Sequence, residues 1–391
     1  MNHNTEISSV RYFDLRLDRT EHGATATVIN SPAGQSTSPV AVNSLFELTN
    51  LQVTQLTAED QIGLGITLWQ SLFGPPEIAE LWRASHAAGS PYLRLTIGDP
   101  ELASLPWELM YDTRTDKFVA LDGQAALIRF LPLPIGIVAS PVELPLRILF
   151  TGSSPAGLQR IDVDKECKLL ADALPKQALT LLGSQESVTL SRLAADLMAG
   201  AVVWHFAGHG TEQALILDDG AGNPVTVDAF TLGMLLTGSG VRVALVNSCR
   251  TGAGGAVVSS VAGALLRAGI PSVVAMQSEI TDEAAFAFCK SFYQAIAVGR
   301  SVEQATTSAR RAVYGLGKVG GTGWWMPALF SRNDIPLVLV NAATMEEATF
   351  NRTQAASSHT QASGGSAISQ GGVAISGTVG GSVVTVSSSK S

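Results

Sequence analysis

The sequence predicts an α/β protein: a mostly parallel β-sheet flanked by helices, preceded by a smaller α+β domain and followed by a low-complexity tail. Three observations carry this. Between about 145 and 340, short near-continuous apolar runs alternate with helical stretches, the pattern of strands buried on both faces. Before 140, apolar and polar residues alternate within segments, as in half-buried strands. Beyond 345 charge all but vanishes: from Thr353 to Ser391 the only Asp, Glu, Lys or Arg is Lys390. The expected domains are therefore 1–140 (α+β), 141–341 (the parallel-sheet domain) and 342–391 (the Ser/Gly-rich tail).

In the first domain, Tyr12-Phe-Asp-Leu-Arg-Leu and Ala24-Thr-Ala-Thr-Val-Ile read as strands. A helical stretch over 58–87 is broken by Pro75 and Pro76, because proline lacks the amide proton a helix interior needs. Tyr92-Leu-Arg-Leu-Thr-Ile is a further strand. Pro132, Pro134, Pro141 and Pro145 mark the passage into the second domain.

There the expected strands are 146–150, 178–182, 201–207, 241–247 and 272–276, with Leu329-Phe and Pro336–Val340 as final candidates. The intervening helices are expected at 161–173, 190–198, 229–236, 257–268, 282–298 and 301–314. In the tail, the uncharged alternation of Val and Ile with small residues over 367–386 buries too little surface to fold alone but suits β pairing.

Composition narrows the function. The 391 residues are 46% hydrophobic and carry 25 basic against 33 acidic side chains, a net charge of −8. Without a basic cluster, nucleic acid is not an expected partner. The longest apolar stretch, 253–277, is broken by Arg267 and Pro271, so no membrane span is expected. Met1-Asn-His-Asn-Thr-Glu-Ile has neither the basic nor the apolar region of a signal peptide, and Cys167, Cys249 and Cys289 are odd in number and widely spaced. A cytoplasmic protein with reduced thiols and neither metal nor cofactor is the expectation.

The chemistry lies at two strand ends. Ala201-Val-Val-Trp-His-Phe-Ala-Gly-His-Gly ends in His209 and Gly210, and Val243-Ala-Leu-Val-Asn-Ser-Cys-Arg presents Cys249 forty residues later. Adjacent parallel strands would bring an imidazole and a thiol to one carboxyl edge, where α/β sheets bind their ligands. A Cys/His dyad supports nucleophilic catalysis, with Cys249 attacking and His209 relaying the proton. The backbone amides of Gly210 and Cys249 would form an oxyanion hole. His205, inside its strand, is expected in the core, as are Cys167 and Cys289 on helices. Asp218 and Asp219 read as turn residues of a hairpin after His209.

At these residues the chain resembles the CHAT peptidases, a caspase-like family of cysteine peptidases in the clan of caspases, separases and gingipains, here of a stand-alone bacterial type. The matching elements are His205-Phe-Ala-Gly-His-Gly, Leu245-Val-Asn-Ser-Cys-Arg-Thr-Gly, Leu266-Arg-Ala-Gly-Ile-Pro-Ser-Val-Val-Ala and Ser291-Phe-Tyr-Gln-Ala-Ile. Upstream, Leu102-Ala-Ser-Leu-Pro-Trp-Glu-Leu-Met-Tyr-Asp is similar to a segment that precedes many bacterial CHAT domains. The likeness spans roughly 90–340. It implies a caspase-like sheet and endopeptidase cleavage of a protein substrate through a Cys249 acyl-enzyme, with His209 as general acid/base. It also implies an effector of bacterial defence or programmed cell death, activated by an upstream sensor or NTPase.

Two matters stay open at this level. Glu279 and Asp282, in Met276-Gln-Ser-Glu-Ile-Thr-Asp, either line the substrate pocket and favour a basic P1 side chain, or Asp282 simply caps the next helix. The tail is a linker, a strand-forming recruitment segment or an inhibitory pseudo-substrate. Beside the peptidase stand an inactive caspase-like scaffold recruiting partners through its tail, disfavoured by the intact dyad, and a small-molecule hydrolase. The last is disfavoured because Gly238-Ser-Gly does not supply a nucleophile elbow.

Overall fold

The computed structural model describes residues 10–40, 56–134, 142, 144–174, 179–182, 188–248, 260–317 and 321–340, together with 378–379 and 382–383. The chain forms two units, Met1–Ala342 and Ala343–Ser391.

The first unit begins with β1 (Tyr12–Thr20), β2 (Gly23–Asn30) and β3 (Ser36–Val40), whose alternating burial reflects the alternation in sequence. Helix α1 (Ala58–Phe73) starts at a capping box between Thr57 and Asp60. Helix α2 (Pro76–Ala87) restarts with proline at its first position, so the break expected at Pro75 and Pro76 is observed. Then come β4 (Tyr92–Ile97), the short α3 (Pro100–Ala103), a 3₁₀ turn at Trp107–Leu109, β5 (Tyr111–Asp112), β6 (Lys117–Phe118) and β7 (Leu127–Phe130).

Strand and helix alternate from there: β8 (Leu146–Ser153), α4 (Val163–Ala173), β9 (Leu179–Leu182), α5 (Leu190–Leu197) and β10 (Val203–Gly208). A hairpin of β11 (Ala214–Asp218) and β12 (Pro224–Asp228) leads to α6 (Ala229–Leu236) and β13 (Val243–Asn247). The Asp218 and Asp219 carboxylates accept from the amides of Gly220 and Ala221, the turn role expected of them. The unit closes with α7 (Val261–Arg267), β14 (Ser272–Met276), α8 (Asp282–Ala297), α9 (Val302–Tyr314) and β15 (Pro327–Ser331).

Eleven strands form one sheet in the order β3-β2-β1-β4-β7-β15-β14-β13-β10-β8-β9. β8, β9, β10, β13 and β14 are mutually parallel, as are β1, β4, β7 and β15; the blocks meet where β14 and β15 run antiparallel. The expected mostly parallel sheet flanked by helices is therefore present. The boundary near residue 140 falls between β7 and β8, and strands from both sides of it share this sheet.

One face of β10 sends Trp204 and Phe206 into a core with residues of α5, α6 and α7, among them Leu193, Leu232 and Leu265. The opposite face carries His205, beside Phe150 of β8 and Tyr293 of α8. One expected strand is not formed. The segment 336–340 instead closes the start of α9: the Leu337 carbonyl accepts from Val302, and its amide donates to the Glu303 carboxylate.

The second unit contains a short antiparallel pair, β16 (Thr378–Val379) and β17 (Ser382–Val383).

Candidate active site

The order β9-β8-β10-β13-β14 has a topological switch point between β8 and β10, where successive connections leave for opposite faces and a crevice opens at the carboxyl edge. A cavity of about 180 Å³ lies there. Its walls come from the segment after β8 (Gln159, Arg160, Glu166), the end of β10 (Gly208, His209), the end of β13 (Asn247, Ser248) and the passage into α8 (Glu279, Asp282). His209, Glu279 and Asp282, inferred separately from sequence, thus line one cavity. Cys249 lies outside the described residues; it directly follows Ser248.

His209 is fixed by the backbone. Its Nε2 lies 2.6 Å from the main-chain carbonyl of Gln159. A carbonyl oxygen only accepts, so Nε2 carries the proton and donates it, and Nδ1 is left with the lone pair that can take a proton from a thiol. This anchor fixes the orientation of the ring. No sequence motif reveals it, because a main-chain carbonyl is indifferent to its side chain.

The two strand ends are pressed together. A Cβ on Gly210 would come within 2.3 Å of Ser248 Oγ and 3.0 Å of the Ala214 carbonyl, so only glycine lets the chain after β13 pass this close to the His209-Gly210 turn. Gly208 is bounded likewise by the Ser153 carbonyl, 2.7 Å from where a Cβ would stand.

Asp282 does not cap α8. That cap is Thr281, whose side chain accepts from the Ala284 amide 3.3 Å away, and Asp282 occupies the first turn with its side chain exposed. Glu279 is exposed as well. On the same cavity, Glu166 adds a third carboxylate that sequence reasoning passed over. It sits in the first turn of α4, where an acid is favoured by the helix dipole, and this local preference masks any other role.

Beneath the cavity lies a second set of polar groups. His205 is fully buried; its Nδ1 lies 3.0 Å from the Tyr293 hydroxyl, and its Nε2 stands 3.4 Å from Glu166 Oε1 without meeting any hydrogen-bond partner. The distance is within ion-pair reach. Asn247 Nδ2 donates to the same Glu166 oxygen at 3.1 Å. The Cys289 sulfur completes the group. Burial first, and the nearby Glu166 charge second, push the Cys289 thiol well up, so it stays protonated and is no nucleophile. His205, Cys167 and Cys289 are all buried, as expected of core residues.

The segment Leu102–Asp112 anchors the site from behind. Fully buried Glu108 pairs with Arg129 at 2.6 Å, and Gln277, directly after β14, links to both: it donates to Glu108 Oε2 at 2.7 Å and accepts from Arg129 at 2.7 Å. Burial alone would raise the Glu108 carboxyl, but Arg129 and then Arg310 hold it below the usual carboxylate range.

A doubly wound sheet with an anchored imidazole at its switch point defines an α/β protein with a cavity at the carboxyl edge of β10 and β13. The chain belongs to the CHAT domain family, whose model matches residues 63–332. No curated protein matches it in sequence. Among solved structures it is similar to the Arg-specific cysteine proteinase gingipain R, at 14% identity and a TM-score of 0.47 over 73% of this chain and 69% of that one. The Saccharomyces cerevisiae separase–securin complex is similar at 13% identity and a TM-score of 0.40, over 67% of this chain and 17% of that one. Caspase-1 from Spodoptera frugiperda is similar at 12% identity and a TM-score of 0.36, over 54% and 98%. Among the described residues no helix is long and apolar enough to cross a membrane.

Proposed function

We propose that this chain is a cysteine endopeptidase in which Cys249 attacks the scissile carbonyl and His209 acts as general acid/base. The observation that carries the reading is the contact of Gly210 with Ser248, which puts the residue before Cys249 against the His209 turn. His209 Nδ1 takes the thiol proton, and the thiolate adds to the carbonyl. The tetrahedral oxyanion is held by the Gly210 and Cys249 amides. The imidazolium then protonates the leaving amine, and water, deprotonated by the same nitrogen, releases the acyl group from Cys249.

The acidic wall of Glu279 and Asp282 favours a basic P1 side chain, opposed by Arg160 on the same cavity. The protein is read as an effector whose tail engages an upstream sensor or NTPase. A thiol-reactive peptide probe and a peptide library test the reading. Labelling is expected to disappear in Cys249→Ala and weaken in His209→Ala, with cleavage after Arg or Lys. Equal labelling of wild type and Cys249→Ala would sink the assignment; cleavage only after acidic or apolar residues would sink the P1 preference.

A further inference from the structure

The group beneath the cavity has an unusual composition for a core. Glu166, His205 and Cys289 each present one donor atom, and the three atoms lie within 4.8 Å of one another. His205 Nε2 is fully buried and meets no hydrogen-bond partner, yet it faces a carboxylate oxygen at 3.4 Å. With Nδ1 protonated toward the Tyr293 hydroxyl, Nε2 holds a lone pair 3.4 Å from an anionic oxygen, which is repulsive unless something positive lies between them. We propose that Glu166, His205 and Cys289 form a binding site for a borderline divalent cation of the zinc class.

Four features fit. Two ligands about 2.1 Å from a tetrahedral ion stand about 3.4 Å apart, the separation found between His205 Nε2 and Glu166 Oε1. The mixed sulfur, nitrogen and oxygen set suits zinc rather than magnesium or calcium, which take oxygen alone. The outer partners are in place. Tyr293 hydroxyl, 3.0 Å from Nδ1, accepts the proton there and frees Nε2 for the metal, while Asn247 orients the carboxylate. Lastly, charge balances: the dication displaces the Cys289 proton to solvent and meets one thiolate, one carboxylate and one neutral imidazole, leaving no net charge in the core. Glu166 also lines the cavity, which gives the ion its way in and leaves its fourth position to water.

The site is independent of the peptidase reading, and the test keeps the two apart. The full chain is stripped with a chelator and titrated with Zn²⁺ against a chromophoric competitor, then with Co²⁺ to look for a thiolate-to-cobalt absorption band. One equivalent per chain is expected, with the band present. Both should persist in Cys249→Ser and in His209→Ala. Tyr293→Phe should weaken binding about 10-fold. Cys289→Ser should weaken it further and remove the band. Glu166→Gln, at the cavity edge, decides the matter if Cys289→Ser fails to fold, and it too should weaken binding. Absence of binding, unchanged binding in Glu166→Gln or Cys289→Ser, or loss of binding in Cys249→Ser would overturn the proposal.

Discussion

Two buried polar clusters face the same problem and solve it differently. Around Glu108, a fully buried carboxylate meets Arg129 at 2.6 Å and Arg310 at 3.8 Å, Gln277 bridges, and main-chain carbonyls of Ala103, Leu105 and Pro327 accept from the guanidinium groups. Of these donors, only Arg310 Nη1 lacks a partner. Around Glu166 an imidazole, a thiol, a phenol and an amide share the space, and His205 Nε2 is left over. Guanidinium groups fill their surroundings with fixed donors and have no lone pair to offer a ligand. The second cluster keeps a donor atom in reserve. The first is architecture holding the segment after β14; the second has room for chemistry.

The sharpest cut is Glu108→Ala. It leaves Arg129 and Arg310 buried without their anion, and loss of one partner of a buried pair costs about 3–5 kcal/mol. Chemical denaturation at neutral pH should show that loss. A cost below about 1 kcal/mol would mean that water reaches the cluster and that the contrast with Glu166 is false.

Glu303 supplies the contrast in pH. Buried like Glu108 but without a cation, its carboxyl is raised from 4.5 to about 7, by burial first, against the opposing hydrogen bonds from its own backbone, Ser301 and Leu337. Among the described residues, the Tyr12 and Tyr92 hydroxyls feel its charge. The folded state then holds a proton that the unfolded state releases. Its stability contribution is full below pH 4.5 and is lost as pH rises through about 7, amounting to about 3 kcal/mol. Glu108, lowered, acts in the opposite sense: its contribution is present above the unfolded value and lost as pH falls through the folded one. Melting temperature measured from pH 4.5 to 8 should fall less steeply in Glu303→Gln than in wild type. Identical slopes would show that Glu303 is ionised throughout.

The third cut lies at the edge above the Glu166 cluster. Gly210→Ala drives a methyl group into Ser248 Oγ, and overpacking of this kind costs about 1–3 kcal/mol. If the Ser248 side chain is the obstacle, adding Ser248→Gly restores part of the loss in stability; peptide-probe labelling should recover with it. A double variant no better than the single one would place the clash in the Ala214 carbonyl instead.

Much of this was legible in sequence, and the gaps have a physical pattern. The strands β8, β10, β13 and β14 are local apolar runs, so their existence and the edge carrying His209 follow from composition alone, while the limits of β8, β10 and β13 differ from the expected ones. That β1, β4 and β7 join the same sheet does not, because pairing between distant strands leaves no local signature. Glu108 could not be assigned either: its partners Arg129 and Gln277 lie 21 and 169 residues away. Gln159 acts through its carbonyl, which every residue has. Glu166 sat at a position where helix-dipole preference already explains an acid. His205 did leave a clue. In a strand its side chain points away from Trp204 and Phe206, so a polar residue there has to find partners on the other face.

The gentlest cut is Tyr293→Phe, and it separates the clusters most finely. Removing the hydroxyl deprives His205 Nδ1 of its partner at 3.0 Å, which for a rigid donor would leave a buried group unsatisfied at about 1–3 kcal/mol. An imidazole has an alternative that a guanidinium lacks. It can move its proton to Nε2, where Glu166 Oε1 waits at 3.4 Å, and leave Nδ1 as the poorer but cheaper unsatisfied acceptor. The expected cost is therefore at the low end, about 1 kcal/mol, with the phenylalanine ring keeping its place beside Phe292. A loss rivalling that of Glu108→Ala would mean that the second cluster is as fully committed to structure as the first.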